Sequence, residues 1–514
     1  MHGQACCVAA GGVIVGRGRP HDAETFPHVT TGYRLLAGNA SAVLAGRLVA
    51  IVLGVVLATV LFRALGAPQY GVWSLLTLMS GYSTLIDFGL SSAIERRVAA
   101  LMARNAIGLI PGTIATVALL LGALTTVAQV VAIALLALPS GQRLDSGVRS
   151  AILVLPICAG TTLASLAFGA VLAGQQRMRV LHAWRTLGLT VGTCAVVIAA
   201  WRGETSLAVL LVLYASGSVL TIALVWHSLR GVRPRPFDPR LDRDALHDLL
   251  TYGSIVQGAT MVPPAAEYVF RLVVGTRFGW EFAAVYDLAA RAAIVLRSLA
   301  GSLFTAMVPF AVQVEREQGM AGVASLVRLT SRYVALFILP ASGVLLAFAG
   351  PVMQLWLGDT DPALVARVQR CFGILLLAHA CTALAVPASM VGRALRRPHA
   401  EAVATALAFV GAVVATPFVP SFDLAAGLLW GTPAVGLLLV WLWLARTMGI
   451  GFAHPGDVAL AGMVALSAYG VARALLVWGP GPMPIRLGAA MVFAAGAAAA
   501  VEWLRSRPGW TQPG

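Results

Sequence analysis

Apolar residues in this chain gather in long unbroken runs from Ser41 to near the C-terminus, separated by short polar segments that carry Arg. At a helical rise of about 1.5 Å per residue, a run of about twenty residues crosses the roughly 30 Å hydrocarbon core of a bilayer. The runs are rich in Ala, Leu, Val and Gly and lack the alternation of barrel strands, so the pattern predicts helices. The predicted spans are 41–62, 70–93, 109–138, 150–174, 186–200, 206–229 and 249–275, then 282–310, 334–357, 371–391, 401–419, 424–444, 458–477 and 487–504. The third is long enough to tilt, and the fifth is the shortest. The chain reads as an all-α polytopic membrane protein of about 14 transmembrane helices.

Composition excludes the soluble alternatives. Charged residues are 11% of the 514 and hydrophobic ones 59%, with a mean hydropathy of +0.85. An ordinary soluble chain has roughly a quarter charged residues, so this one lacks the polar surface to cover a water-exposed globule. The net charge of +15 is carried by Arg alone, without a Lys. Twenty-three of the 36 Arg fall on alternate segments beginning with the N-terminal tail, and nine lie on or at the edge of the opposite segments. This asymmetry predicts both termini in the cytoplasm for a multi-pass membrane protein. A nucleic-acid partner would need a soluble basic domain, which the pattern does not offer.

The longest inner segment, near the midpoint, divides the chain. The expected organisation is a cytoplasmic tail at 1–34, a six-helix lobe at 35–229 and a cytoplasmic linker at 230–248. A second six-helix lobe follows at 249–446, then two extra helices with a short tail at 447–514. Ala5–Gly16 has the length of a signal-peptide core, but no basic region precedes it, so residues 1–33 are expected to be a tail or an over-extended start. The lobes echo each other. Gly66-Ala-Pro-Gln-Tyr-Gly-Val-Trp73 enters span 2 and Gly279-Trp-Glu-Phe-Ala-Ala-Val-Tyr286 enters span 8; Ala170–Arg179 and Ala388–Arg397 close spans 4 and 10. Matches in one order at nearly one offset predict two pseudo-symmetric six-helix bundles plus two C-terminal helices, with a site between them.

Apart from Glu401, Arg473 and Glu502 toward the ends of spans 11, 13 and 14, the charged residues within predicted spans are seven: Arg47, Asp87, Glu267, Arg271, Asp287, Arg291 and Arg297, all on spans 1, 2, 7 and 8. Facing lipid at full depth they would cost on the order of 20 kcal/mol together, so most must face a cavity or each other. Glu267 with Arg271, and Asp287 with Arg291, stand at i,i+4 spacing and suit ion pairs along one helix face. The same Arg side chains also suit an anionic ligand held by bidentate hydrogen bonds. Pro263 and Pro264 within span 7 remove two backbone donors and mark either a hinge or a fixed kink. Pro156, Pro340 and Pro387 read as plain kinks.

Other chemistry finds no support. The six Cys, with Cys6 and Cys7 adjacent and Cys158, Cys194, Cys371 and Cys381 single in apolar runs, lack metal or disulfide spacing. No metal and no cofactor is expected. Without Lys there is no Walker A loop. Asp359-Thr-Asp361 and Asp242-Arg-Asp244 read as helix caps rather than metal sites; Pro362 after Asp361 supports the first.

Leu65–Ala99, with Gly66, Tyr70, Gly71 and Trp73 followed by Asp87-Phe-Gly-Leu90, resembles the first hairpin of polysaccharide and O-antigen flippases of the multidrug/oligosaccharidyl-lipid/polysaccharide (MOP) exporter superfamily. Val285–Arg291, Pro309, Leu355–Gly358 and Asp423–Gly427 extend the resemblance over roughly residues 35–450. It implies a non-enzymatic flippase. Such a protein moves polyprenyl-pyrophosphate-linked oligosaccharide across the inner membrane by alternating access, for surface polysaccharide such as O-antigen or exopolysaccharide. Arg271, Arg291 and Arg297, then Arg47, are the expected headgroup contacts. Asp87, Glu267 and Asp287 would orient them or carry a coupling proton or sodium ion. Membrane lipids and the polysaccharide polymerase machinery are the expected partners. The competing readings are a cation-coupled drug exporter, a peptidoglycan-precursor flippase and a membrane glycosyltransferase or polymerase. An exporter should show an acid cluster, and an enzyme of the last kind a large outer loop.

Overall fold

The structure is a computed structural model that describes residues 27–81, 90–142, 144–230, 246, 262–304, 307–358, 361–387, 399–448 and 455–505. Among these are fifteen α-helices of nine residues or more and no strand. The first six are α1 (Pro27–Gly81), α2 (Leu90–Ala103), α3 (Ile110–Ala137), α4 (Ser146–Gly174), α5 (Met178–Trp201) and α6 (Leu207–Ser228). After the chain midpoint come α7 (Val262–Arg277), α8 (Trp280–Phe304), α9 (Met307–Ala347), α10 (Ala349–Leu357) and α11 (Pro362–Leu384). The last are α12 (His399–Ala415), α13 (Phe422–Met448), α14 (Pro455–Trp478) and α15 (Met483–Arg505).

Every predicted span falls on helix over most of its described length. Among the described residues, ten helical stretches are long and apolar enough to cross a membrane, and Val403–Phe418 is a shorter apolar one. α7 and α8 are not among them, because α7 is described over only 16 residues and α8 carries Glu281, Asp287, Arg291 and Arg297. Large apolar side chains face outward along the helices, among them Val127, Val130, Leu466 and Val492 at 60–73% exposure. Such a surface is untenable in water and is what hydrocarbon requires.

Three boundaries differ from the sequence expectation. The first two spans form one continuous element, broken at Gly66, whose φ of 74° and ψ of 166° are reserved for glycine. The fifth span is a full helix from Met178, because its polar first turns (Arg179, His182, Arg185) continue helical beyond the apolar run. The ninth extends back to Met307 with a break at Gly319, and then stops at Ala347 before the separate α10.

Without a hydrophobic drive between helices in lipid, close packing by small residues holds the bundle. At the α5–α6 crossing, Gly188 and Gly192 lie on Gly217 so tightly that a Cβ on any of them would strike opposing backbone. α4 packs on α6, α2 and α3, and α1 on α5 and α8; α8 packs in turn on α11, which also meets α13. One buried apolar cluster runs from Leu57, Leu61 and Trp73 of α1 through Phe270 and Leu288 to Leu375 and Trp430. α14 and α15 pack on α9, where Arg332 pairs with Glu502 of α15. Asp361 caps α11 by accepting from the Ala363 N–H at 2.9 Å, with Pro362 at the first helical position as expected. Cys158 and Cys371 are buried, Cys194 and Cys381 exposed, and all four are free thiols. Asp242 and Asp244 lie outside the described residues.

Candidate functional site

The Gly66 break turns the chain so that residues 67–81 run as a second helix against the start of α8. Gly279 opens α8 with a φ of 109°, so both halves of the predicted repeat begin on a glycine in the left-handed region. Gly71 then meets α8 at its backbone. A Cβ there would collide with the Trp280 carbonyl and the Ala284 nitrogen, so only glycine permits the approach. This crossing brings two segments more than two hundred residues apart into contact.

Beside the crossing lies a buried ion network. The Asp287 carboxylate, 1% exposed, accepts from Arg271 NH1 on Oδ1 at 2.7 Å. Its Oδ2 accepts from Arg291 Nε at 2.7 Å and from the Tyr70 hydroxyl at 2.7 Å. Arg271, 4% exposed, also donates to Glu267 Oε1 at 2.9 Å and to the Ser74 carbonyl at 3.4 Å. Its guanidinium lies 5.3 Å from the centre of the Tyr286 ring. Arg271 thus ties α7 to α8 and to the 67–81 helix, with two carboxylates answering two guanidinium charges.

Arg291 differs from Arg271. Its side chain is 35% exposed. Nε is held by Asp287, while its terminal amino groups make no hydrogen bond among the described residues. NH1 stands 3.9 Å from the position of a Cβ on Gly54, so the guanidinium faces α1 at a place without a side chain. Arg291 lies about 16 Å along α8 from Trp280, near the middle of a span. Arg297, half-buried and about 25 Å along, makes no ion pair among the described residues; its guanidinium lies 5.0 Å from the Trp430 ring centre. Such a cation–π contact is worth about 0.5–2 kcal/mol, and Glu267 acts on the same guanidinium through its charge without pairing with it. Trp430 donates from Nε1 to the Tyr286 hydroxyl at 2.9 Å.

The structure therefore brings together Glu267, Arg271, Asp287 and Arg291, and places Arg297 further along the same helix. Arg47 is exposed on α1. Asp87 lies outside the described residues. Pro263 and Pro264 are the second and third residues described in α7, and residues 247–261 before them lie outside the description. Tyr70, Tyr286 and Trp430 were not singled out from the sequence as site residues. The first two had a signal, since both stand in the repeated entry motifs; Trp430 had none. Near the Trp280 end of the bundle, the Trp356 indole donates to the Thr59 hydroxyl, and Gly358 backs onto Arg63.

The model of the polysaccharide biosynthesis protein family matches residues 36–315, more than half of the chain, and the chain belongs to that family. Among solved structures, the lipid II flippase MurJ in an inward closed conformation aligns with a TM-score of 0.65 at 10% identity, over 91% of this chain and 98% of that one. An inward-facing multidrug resistance MATE family transporter aligns with a TM-score of 0.56 at 16% identity, over 77% and 94%. A point mutant of the Vibrio cholerae MATE transporter VcmN gives 0.55 at 15% identity, over 81% and 98%. At these identities the likeness is one of fold. No curated protein matches significantly.

Proposed function

We propose that this chain is a flippase that carries polyprenyl-pyrophosphate-linked oligosaccharide across the bacterial inner membrane by alternating access, with both termini in the cytoplasm. Arg291 is the observation that carries the reading. Its Nε is fixed by a buried carboxylate and its terminal amino groups are left at mid-span for a ligand. That is the geometry a bidentate grip on a phosphate oxygen needs. Arg297, in no ion pair among the described residues, adds the second positive charge that a pyrophosphate calls for. Arg47, exposed on α1, is a third contact. Glu267 and Asp287 orient the guanidinium groups, and Arg271 acts through them as a positioning residue. Asp87 and the Pro263–Pro264 hinge complete the proposed machinery. A family concerned with polysaccharide biosynthesis and a fold shared with a lipid II flippase support the same substrate class.

The two lobes, 35–229 and 249–446, would rock about the Gly71–Trp280 crossing, with 230–248 as the linker and α14 and α15 riding on the second lobe. The test is a strain deleted for this chain. Its extracted lipids should accumulate a completed but unpolymerised polyprenyl-pyrophosphate oligosaccharide, cleared by the wild-type chain and not by R291Q/R297Q expressed at the same level. Clearance by the double variant would overturn the headgroup assignment. A truncated lipid-linked unit would point to a sugar-adding enzyme instead.

A further inference from the structure

Outside the ion network, the second lobe buries a titratable group that the proposed cycle does not use. His379, five residues before the end of α11 at Leu384, is 1% exposed, and its Nδ1 has no hydrogen-bond partner among the described residues. A buried polar atom left unsatisfied is normally removed or satisfied by a native protein, unless it serves a purpose. The ring lies 4.5 Å, centre to centre, from Trp430 of α13. The guanidinium of Arg297 lies 5.0 Å from the centre of that same indole. His379 and Arg297 are therefore no more than 9.5 Å apart, joined through one aromatic ring in a low-dielectric interior.

The other charges on the helices around α11 are paired or stand toward a helix end. From α8, Asp287 and Arg291 bind each other, and Glu281 binds Arg367 at 2.9 Å. From α13, Asp423 stands near the opposite end, 3.5 Å from Arg370. From α9, Glu315, Glu317 and Arg328 precede the apolar stretch that begins at Tyr333, and Arg332 is taken by Glu502. From α7, Glu267 binds Arg271 and also acts on Arg297 through its charge. α10 carries no charged residue. Tyr286 of α8 reaches the pair only through Trp430 Nε1. Arg297 is thus the charge that a proton on His379 would meet.

We infer that His379 is a proton-binding site coupled to the anionic substrate through Arg297 and Trp430. With Arg297 charged and in no ion pair among the described residues, a second positive charge on the imidazole is opposed. When the pyrophosphate neutralises Arg297, that opposition falls and His379 takes up a proton. Linkage makes the effect reciprocal, so a protonated His379 holds the anion more tightly. The step is a simple equilibrium, with one proton from water added at an imidazole nitrogen and no bond broken elsewhere. It rests on the headgroup reading of Arg297 given above.

Trp430 supplies the readout, because a protonated imidazole against an indole quenches its fluorescence. The full-length protein in nanodiscs is titrated from pH 8 to pH 2.5, and the Trp430 component is taken as the difference from W430F. The wild type should show a single quenching transition, absent in H379Q. Inorganic pyrophosphate should move its midpoint upward by about one pH unit, a tenfold gain in proton affinity within the usual range of coupling between sites. R297Q should abolish that shift. A Trp430 component flat across the whole range, measured on wild type without any change at His379, would overturn the inference. Calorimetry of pyrophosphate binding in the same samples separates the two levels. Binding without a midpoint shift overturns the coupling alone, whereas absence of binding removes the headgroup reading beneath it.

Discussion

Asp287→Asn is the substitution that most exposes how the site is held. The carboxylate is 1% exposed and takes three donors at 2.7 Å, from Arg271, Arg291 and Tyr70. Asparagine keeps the shape but removes the charge, and it turns an NH2 group toward at least one of those donors. Arg271, itself 4% exposed, would be left with Glu267 as its remaining carboxylate. Taking one partner from a buried ion pair costs about 3–5 kcal/mol, because the other charge stays buried without compensation. At about 1.4 kcal/mol per decade, a loss of about 3 kcal/mol is already more than a hundredfold in the folding equilibrium. The assay is reversible unfolding in mixed micelles at increasing sodium dodecyl sulfate. D287N should unfold at markedly lower detergent fraction, and the double variant D287N/R271Q should regain part of the loss because it removes the stranded cation as well. A D287N protein within about 0.5 kcal/mol of wild type, the scatter of an ordinary surface substitution, would refute the view that this network fastens α7, α8 and the 67–81 helix together.

Smaller effects follow from the same geometry. Y70F removes one hydrogen bond to a charged group and should cost about 1.5–3 kcal/mol in the same unfolding assay. G71V should fail to assemble a stable bundle, seen as loss of the monodisperse peak on size exclusion, since its side chain would enter the α8 backbone; G66A, at a φ of 74° and ψ of 166°, should lose about 1–3 kcal/mol and remain folded. Arg332 and Glu502 are each about a quarter exposed, so E502Q should cost only about 0.5–1 kcal/mol and leave transport unchanged. Bridging T59C of α1 to W356C of α10 with a short, reducible bis-thiosulfonate reagent, in a background without the native cysteines, should stop transport, and reduction should restore it. Full activity of the bridged form would argue against opening at that end.

The sequence made the spans legible because membrane helices write themselves as apolar runs whose length matches the bilayer. Their ends were less visible. α9 continues from Met307 through the charged stretch Glu315–Arg332, and α5 starts on polar turns, since a helix need not stop where lipid does. The local ion pairs were legible as i,i+4 spacings and stand at 2.9 and 2.7 Å. What no local pattern carries is the meeting of Tyr70 with Asp287, 217 residues apart, or of Arg297 with Trp430. Those contacts depend on Gly71 letting two backbones touch and on α8 and α13 sharing a face with α11. The difference between Arg271, enclosed, and Arg291, half open, was equally invisible, as both are Arg at the end of an i,i+4 pair.

The most direct test is transport by the purified protein. It would be reconstituted in liposomes containing polyprenyl-pyrophosphate-linked oligosaccharide, and the fraction of sugar open to a membrane-impermeant glycosidase followed with time. In protein-free liposomes, about half of the sugar should be cleaved and the rest protected. With the wild-type protein the protected half should become accessible, and with R291Q/R297Q it should stay protected. A protected fraction unchanged by the wild-type protein, in vesicles where its folding is verified, would contradict the account.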